Sequence, residues 1–592
     1  MSVERLITDN IDVWTSTVKT KSASGRGSSK KIELYGIKKL RELILELAVR
    51  GKLVPQDPTD EPASVLLERI AEEKALLVKE KKIKKQKSLG KVNDNEALFE
   101  LPKGWEWTRL SEITEIGPRN NDIADELEVS FVPMPMISKS YKGEHDSEVR
   151  IWRDIKKGYT HFRDGDIALA KITPCFENSK AAVFSNLKNG IGTGTTELHI
   201  ARPIVETLNP LFILLYLKAP IFLKVGETKM TGSAGQKRVP KDFFAENPLP
   251  FAPLEEQNRI VAKVDELMSL CDQLEQQTET SIETHQTLVE VLLNTLTSSA
   301  DAQELMQNWQ RISKHFDALF TTEKSIDTLK QTILQLAVMG KLVPQNSKDE
   351  PAAKLLERIA EEKAQLIKDK KIKKQKGLPE ITEDEKLFDL PSGWEWCRIV
   401  DLSLNSESGW SPKCLDTPRE TGKWGVLKVS AVTWGVYNPN ENKELPTTLE
   451  PREQIEVKVG DFLISRANTA ELVAKAVIVP PNSPEKLMMS DKIIRFRFSE
   501  MLEVNYINLF NNSGFARDYY AEVAGGTSSS MKNVSRVQIN NLVVALPPQE
   551  EQDKIVCKVN TFFNICDQLK ARLKESQTTQ LHLTDAIVEQ AV

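Results

Sequence analysis

The sequence predicts an α+β fold: two mixed α/β domains separated by a long antiparallel two-helix coiled-coil rod, with pseudo-twofold symmetry. Residues 40–107 recur at 329–396 without a gap, and 45 of the 68 aligned positions are identical. The stretches 108–247 and 397–542 share only scattered residues before the likeness returns. Apolar residues spaced four and three apart then mark a coiled-coil seam in each repeat. The chain is therefore a duplication, and its two copies should fold alike.

Length and composition set the outer bounds of the prediction. A chain of 592 residues is too long for one hydrophobic core and suggests about four domain-sized units. With 40% hydrophobic and 28% charged residues, it has the composition of a soluble protein with long helices. The net charge of -5 means that any DNA-binding surface must be a local patch or be completed by a partner.

The cysteines and the most apolar stretch both indicate a cytoplasmic protein without a membrane span. No C-x-x-C pair occurs, which favours reduced thiols over metal or disulfide use. Residues 211–223 are interrupted by Lys218 and Pro220 and are too short to cross a bilayer, so they predict a buried helix. The N-terminus has no apolar core of the kind found in a signal peptide.

Two helices precede the first divergent stretch. Residues 22–29 are rich in Ser and Gly and predict a flexible lead-in. Residues 40–48 then follow a helical period that Gly51 is placed to end. A second helix is expected over about 63–87, finishing in a lysine run at 79–87 that is matched at 368–376. This run suits phosphate contact or a solvated helix end, and the second interpretation is favoured.

The longest helices are expected at 255–298 and 550–590. Since they are repeats of one another, the simplest arrangement is an antiparallel pair about a pseudo-twofold axis. The repeat is cut inside the helical module, so the chain termini should lie side by side in a closed arrangement. The seam residues are Ile260, Val264, Leu267, Cys271 and Leu274 in the first helix, and Ile555, Val559, Phe562, Cys566 and Leu569 in the second.

The divergent stretches predict a twisted sheet with irregular loops. Strands are expected at 167–171, 462–466 and 492–498, where apolar residues are continuous or alternate. The Gly-x-Gly-x-Gly run at 190–194 looks like a nucleotide loop. Its repeat partner has no glycine and no helix follows it, so it is expected to be a loop or bulge.

A search for catalytic groups finds no convincing site. The six histidines lack metal-ligand spacing, and the adenine-methylating Asn/Asp-Pro-Pro-aromatic motif is absent. We therefore expect no catalytic residue, no bound cofactor and no metal on this chain.

What remains is a candidate binding loop in each divergent stretch. Residues 231–239 align with 526–534, and a Gly/Ser/Thr loop ending in Lys suits phosphate approach beside base edges. A structural turn leading into the last strand fits equally well. Arg favours guanine and Asn favours adenine, so Arg238 against Asn533 is a notable difference. The DNA-binding candidates are Lys171, Thr231, Gly232, Ser233, Lys237, Arg238, Arg466, Thr527, Ser528, Lys532 and Asn533.

Lys171 and Arg466 belong to this set because they stand at matching strand ends, although a plain exposed strand charge is the simpler interpretation. Trp105, Trp107, Trp394 and Trp396 could stack on bases. They lie in the similar part of the repeat, whereas a sequence reader should vary where its targets vary, so we expect them to be the packed entry to each domain.

The duplicated order of motifs resembles the specificity subunit of type I restriction-modification systems, and its N-terminal half-module resembles the subgroup often called type IB. Pro-x-Gly-Trp opens each divergent domain at 102–105 and 391–394, and Pro-x-Glu-Glu-Gln-x-x-Ile-Val closes it at 253–261 and 548–556. The expected organisation is an N-terminal extension at 1–35, partly flexible; a helical half-module at 36–101; target recognition domain 1 at 102–250; a central helical region at 251–390; target recognition domain 2 at 391–547; and a C-terminal helix at 548–592.

The resemblance implies that each recognition domain reads one half of a split, asymmetric double-stranded DNA target. It also implies two modification (methyltransferase) subunits and two ATP-dependent restriction subunits as partners, which would carry S-adenosylmethionine, ATP and Mg. The helices would set the spacer between half-sites and dock the modification subunits, with the seam residues other than cysteine as candidates. Two alternatives stay open: a non-catalytic structural adaptor that binds proteins, and a nuclease or methyltransferase in its own right.

Overall fold

Each repeat folds into one mixed α/β domain flanked by helices. The computed structural model describes residues 3–21, 31–85, 90–93, 95–204, 208–233, 235–300, 302–374, 377–433, 435–528 and 531–592. They form two compact units. Of the described residues, unit 1 contains 3–19, 32–280 and 577–592, and unit 2 contains 20, 21, 31 and 281–576. The predicted flexible stretch at 22–29 lies outside the described residues.

In the first repeat the elements run from the N-terminal helices to the first long helix. They are α1 Val3–Asp9, α2 Ile11–Ser16, β1 Lys19–Lys21, β2 Lys31–Glu33, α3 Tyr35–Val49, α4 Ala63–Lys79, β3 Glu106–Arg109, α5 Leu110–Ile113, β4 Thr114–Ile116, β5 Glu128–Val132, β6 Glu148–Ile151, α6 Trp152–Ile155, β7 Thr160–Arg163, β8 Ile167–Ala170, β9 Ala181–Val183, β10 Ile191–Gly194, β11 Leu198–Pro203, α7 Pro210–Lys218, α8 Pro220–Lys229, α9 Lys241–Glu246, β12 Pro248–Phe251 and α10 Leu254–Thr297.

The second repeat follows the same plan with different strand lengths. Its elements are α11 Ala302–Lys314, α12 Phe316–Leu319, α13 Glu323–Val338, α14 Ala352–Lys368, β13 Glu395–Arg398, α15 Ile399–Leu402, β14 Ser403–Ser408, β15 Gly425–Leu427, β16 Asn442–Glu444, β17 Phe462–Ser465, β18 Ala467–Asn468, β19 Ala476–Ile478, β20 Leu487–Met488, β21 Ile493–Phe498, α16 Val504–Asn512, α17 Gly514–Val523, β22 Gly525–Ser528, β23 Met531–Asn533, α18 Arg536–Asn541, β24 Val543–Leu546 and α19 Gln549–Ala591.

The sheets of the two units correspond strand for strand in their central part. In unit 1 the order β4-β11-β8-β9 is antiparallel throughout, and a second sheet has the order β6-β5-β10-β7 with β5 and β10 parallel. Unit 2 repeats the first order as β14-β21-β17-β19 and the parallel pair as β15 with β20. A two-stranded ribbon, β3 with β12 and β13 with β24, joins the start and end of each domain. The predicted mixed α/β fold class is confirmed.

The helical modules also correspond. In unit 1 the first part of α10 is grouped with the last part of α19, and unit 2 holds the complementary parts of both helices. The shorter helix of each module lies beside the predicted seam: Arg41 of α3 pairs with Asp272 and Glu275 of α10 at 2.5 and 2.6 Å. In unit 2, Lys330 of α13 pairs with Asp567 of α19 at 2.5 Å. The seam is thus covered by α3 or α13, neighbours that the sequence had not assigned to it.

The two ends of the chain meet in unit 1, as the cut point of the repeat predicted. Thr584 donates to Thr17 at 3.0 Å between hydroxyl groups, and Lys52 Nζ donates to the backbone oxygen of Val592 at 2.6 Å. The equivalent Lys341 of unit 2 donates to the backbone oxygens of Thr297 and Ser299 at 2.9 Å each. Noncovalent contacts therefore rebuild at the termini what a continuous chain provides in the middle.

Three local predictions need correction. The helix expected over 63–87 ends at Lys79, because Lys81 adopts a left-handed φ of 60° and Lys82 N bonds to Leu77 O at 2.9 Å, the pattern of a Schellman cap. The apolar stretch forms two helices rather than one, because Pro220 starts α8. The glycine run is strand β10 and not a loop.

The reason for the third correction lies in close packing. A Cβ on Gly192 would lie 2.3 Å from the Phe162 ring, and one on Gly194 would lie 2.6 Å from Val132 O. These glycines therefore serve the approach of neighbouring strands and side chains. Among the residues that the structure describes, no helix is both long and apolar enough to cross a membrane.

Candidate nucleic-acid interface

The candidate loop of unit 1 is a narrow hairpin whose ends are fixed by backbone bonds. Thr231 N donates to Arg238 O at 3.0 Å, and Arg238 N donates to Thr231 O at 2.8 Å. On its other side Arg238 bridges to Ile172, just after β8, and Thr173 N donates to Lys237 O at 3.0 Å. Thr231, Gly232, Ser233 and Lys237 are exposed. The structural turn that the sequence left open is thus present, and DNA binding by its exposed residues stays a prediction.

Unit 2 contains the same element as a small three-stranded sheet. Strand β23 lies between β18 and β22, with Asn533 opposite Ala467 on one side and Gly525 on the other. Since Arg238 is flanked in the same way by Ile172 and Thr231, Arg238 and Asn533 are equivalent. The predicted correspondence of these two residues is confirmed.

The sequence alignment of the two loops needs a correction of one residue at their N-terminal ends. Gly232 and Gly526 have φ values of 124° and 127°, and a Cβ on either would collide with the backbone oxygen before the loop lysine, that of Gln236 or Met531. Gly232 therefore matches Gly526. The ungapped alignment of 231–239 with 526–534 had placed it opposite Thr527. Unit 2 has one additional residue in this loop, and Thr527 and Ser528 continue β22.

The two strand-end cations lie beside these loops. Lys171 N donates to Glu197 O at 3.0 Å, and its carbonyl accepts from Val239 N at 2.8 Å. Arg466 repeats both bonds, to Lys492 O at 2.8 Å and from Val534 N at 2.9 Å. The structure therefore brings Lys171 together with the loop of unit 1, and Arg466 together with that of unit 2, and both side chains are half-buried.

The side chains on this shared frame differ between the units. Arg238 donates from Nε and Nη2 to the two carboxylate oxygens of Glu197 at 2.9 and 2.8 Å. The hydrogen bond from Arg238 lowers the pKa of Glu197. The equivalent positions of unit 2 are Lys492 and Asn533, a cation and an amide. Lys532 Nζ there donates to Gly526 O at 3.0 Å within its own loop. The sequence could not reveal the Arg238–Glu197 pair, because its members are 41 positions apart, with Glu197 just before β11 and Arg238 in the loop hairpin.

Trp105 and Trp394 do not present stacking faces. Trp105 and Trp394 are 5% and 6% exposed, and their indole Nε1 atoms donate to Glu256 and Glu551 at 3.0 Å each. Gln56 Nε2 donates to the same carboxylate of Glu256 at 3.1 Å. Burial raises the pKa of Glu256. The interpretation of Trp105 and Trp394 as packed domain entries is supported by this geometry.

A pair of buried arginines beside these entries was missed by the sequence reasoning. Arg109 Nη2 bonds both carboxylate oxygens of Glu96 at 2.9 Å, and Arg398 bonds Glu385 at 2.9 and 2.8 Å. Both arginines also donate to a backbone oxygen at the end of the last domain helix, that of Glu246 or Asn541. The residue offset that relates Trp107 to Trp396 also relates Arg109 to Arg398, and extending the alignment would have found them.

Comparison with known proteins identifies the family of this chain. The family model for the type I restriction modification DNA specificity domain matches residues 102–284. The EcoEI specificity subunit of Escherichia coli, a type I restriction enzyme component, is 57% identical over 100% of both chains. This chain belongs to the family of type I restriction enzyme specificity subunits. The corresponding EcoAI subunit, also from Escherichia coli, is 51% identical over 100% of both chains.

A solved structure is also similar. The crystal structure of a HsdS subunit from Thermoanaerobacter tengcongensis matches with 18% identity and a TM-score of 0.42, covering 84% of this chain and 98% of that one. Family membership makes this specificity subunit a non-catalytic, DNA-recognising component of a type I restriction-modification system, which works with modification and restriction subunits. It does not favour the structural adaptor or the free-standing enzyme.

The seam residues of the specificity subunit lie inside its units. Ile260, Val264, Ile555 and Val559 are 0% exposed. Leu267 and Leu274 are 3% and 7% exposed. Phe562 and Leu569 are half-buried and pack against the core of unit 2. Their side chains therefore hold the helices together, and docking on them stays a prediction that would require the modules to open.

Other apolar residues of the long helices face outward at equivalent positions. Leu270 and Ile565 are 37% and 46% exposed, and Leu288 and Leu583 are 48% and 47% exposed. Unit 1 carries Leu270 and Leu583, and unit 2 carries Ile565 and Leu288. Each unit thus offers at least one exposed apolar residue from each long helix, and unit 2 adds Val291 of α10, which is 56% exposed. Within the described part of the chain, no three His, Cys, Asp or Glu side chains are grouped as metal ligands.

Proposed function

We propose that the specificity subunit reads a bipartite, asymmetric DNA target, with each unit reading one half-site through its candidate loop. The observation that carries this proposal is the common loop frame with different side chains at its centre, Arg238 in unit 1 and Asn533 in unit 2. Arg pairs with guanine O6 and N7, whereas Asn pairs with adenine N6 and N7. Two loops that share a backbone frame but carry different side chains suit the recognition of two different half-sites.

The remaining loop candidates divide between positioning and reading. Exposed Lys237, with the hydroxyl groups of Thr231 and Ser233, suits contact with phosphate oxygens. Lys171 and Arg466 supply a cation beside each loop. Gly232 and Gly526 are exposed, and because they carry no side chain they allow a phosphate to approach their backbone closely. In unit 2 the β22 residues Thr527 and Ser528 and the β23 residue Lys532 belong to the same element.

We further propose that the long helices set the spacer between half-sites and dock two modification subunits, with two restriction subunits completing the complex. The equivalent exposed positions, Leu270 with Ile565 and Leu288 with Leu583, support two copies of one partner, because identical partners need equivalent surfaces. S-adenosylmethionine, ATP and Mg belong to those partner subunits in this proposal, and this chain binds none of them.

We assign this complex to the cytoplasm. Cys175, Cys271, Cys397, Cys414, Cys557 and Cys566 are free thiols. Burial raises the pKa of Cys271 to about 12, so this thiol stays protonated and inert at neutral pH. Buried thiols of this kind are typical of proteins in a reducing compartment.

The experiment is a gel shift with the full chain and its modification subunit, using a duplex library randomised at every position. We expect a selected motif with two fixed parts and an unread spacer, and a binding constant that falls steeply with salt. No sequence preference at moderate salt would contradict the proposal. Selection of one continuous motif would contradict the division into two readers.

A further inference from the structure

The charged pair Glu197–Arg238 has a geometry that bears on base recognition. The carboxylate binds the Nε and Nη2 side of the guanidinium, and Nη1 donates to Gln236 O at 3.2 Å. A guanidinium carries five N–H bonds. These three contacts leave one N–H on Nη1 and one on Nη2, which together match the two acceptors of a guanine edge.

Backbone hydrogen bonds fix the positions of both members of the pair. The backbone of Arg238 is bonded to that of Thr231 across the loop hairpin, and the carbonyl of Glu197 accepts a hydrogen bond from Lys171 N. The Arg238 side chain is 44% exposed, and that of Glu197 is 25% exposed. The guanidinium is therefore accessible to a ligand, while its direction is set by a carboxylate on a fixed backbone.

We propose that Glu197 is a positioning residue for Arg238, orienting the guanidinium so that its Nη1 and Nη2 edge meets a guanine in the half-site read by unit 1. This inference rests on the proposed function and names the base and the second residue involved. Glu197 also compensates the charge of Arg238, which makes the arginine a poorer ligand for phosphates of unrelated DNA. The pair thus favours discrimination over general affinity.

Unit 2 shows that the carboxylate is not required by the fold. Lys492 replaces Glu197 at the position whose carbonyl accepts from Arg466, and its Nζ lies 3.6 Å from Asp491. Asn533, which carries no charge, stands where Arg238 does. Glu197 thus occurs in the unit that has an arginine at the loop position. In unit 2, where that position is Asn533, a lysine replaces the carboxylate.

The test uses the complex of the full chain with its modification subunit, and the target that the wild-type complex selects from randomised duplexes. Duplexes carrying each of the four bases at every half-site position are then compared for wild type, Glu197→Gln, Glu197→Asp and Arg238→Ala. Lys492→Gln is the matched control in unit 2.

We expect Glu197→Gln to lower the preference for guanine at one position of one half-site by roughly 5- to 100-fold, the size of one bidentate contact. The same variant should bind unrelated DNA more tightly at low salt, because a negative charge beside Arg238 is removed. Glu197→Asp should keep part of the preference, and Lys492→Gln should leave that half-site unchanged. If Glu197→Gln keeps the wild-type preference while Arg238→Ala loses it, the role of Glu197 is overturned and the proposed function stands. If the wild-type complex selects no sequence, the proposed function itself fails.

Discussion

The indole Nε1 of Trp105 donates a hydrogen bond of 3.0 Å to a carboxylate oxygen of Glu256, and this bond ties the entry of the first recognition domain to the start of α10. Trp394 and Glu551 repeat it at the same distance. The near-identical motifs of the repeat are therefore explained by a shared junction. Its sequence is retained while the domains that it joins have diverged.

The first prediction concerns this junction. Glu256→Gln should lower the free energy of unfolding by about 1–3 kcal/mol, because the new amide turns a donor towards either the Trp105 indole or the Gln56 amide in a buried site. Glu551→Gln is the matched change in unit 2 and should cost a similar amount. Urea unfolding followed by tryptophan fluorescence measures both. Unchanged midpoints in both variants would refute the structural role.

A second prediction follows from a buried lysine. Lys218 is 3% exposed, donates to Ser179 O at 2.7 Å, and has its pKa lowered by burial from 10.5 to about 7. Between these two values the unfolded chain binds more protons than the folded one, so the free energy of unfolding rises with pH. Lys218→Met should flatten this rise. Denaturant titrations from pH 7 to 10 test it, with exposed Lys224→Met as the control that should keep the wild-type slope.

The third prediction addresses the partner surface. Leu288→Asp should remove one modification subunit from the complex and Leu583→Asp the other, because a charge is introduced where an apolar contact is proposed. Native mass spectrometry should show one modification subunit per chain in each single variant. The neighbouring exposed residues provide controls, since Thr287→Asp and His582→Asp should retain two. Two bound subunits in the Leu288→Asp, Leu583→Asp double variant would exclude this surface.

A fourth prediction concerns the spacer. Seven extra residues in both α10 and α19 preserve the heptad pattern and add about 10 Å at 1.5 Å per residue. At about 3.4 Å per base pair, the unread spacer should grow by about three base pairs. Mapping of methylated adenines in cells carrying the lengthened subunit measures it. Altered half-sites with an unaltered spacer would contradict the proposal that the helices set the spacer.

Periodicity carried most of the fold prediction. The long helices were expected at 255–298 and 550–590 and are found at Leu254–Thr297 and Gln549–Ala591, because apolar residues spaced four and three apart mark one buried face of a helix. The strands at 167–171 and 462–466 were equally clear. Patterns of this kind are local, so one sequence is enough to detect them.

The errors and omissions share a different cause. The glycines of β10 were taken for a loop because the ring of Phe162, which they accommodate, is distant in sequence. The one-residue shift in the binding loop depends on the left-handed φ of Gly232 and Gly526, which an ungapped alignment ignores. Glu197 was not among the candidates, since its importance arises only from its contact with Arg238, which is distant in sequence. Side-chain pairing of this sort is decided by tertiary structure.

The most direct test of the central claim is target selection with the two loop variants Arg238→Ala and Asn533→Ala, each in complex with the modification subunit. Selection from randomised duplexes followed by sequencing gives the motif of each complex. We expect Arg238→Ala to lose specificity in one half-site only, and Asn533→Ala to lose it in the other half-site only, with the spacer unchanged in both. Loss in both half-sites from either single change, or no change from both, would contradict the assignment of one reader to each unit.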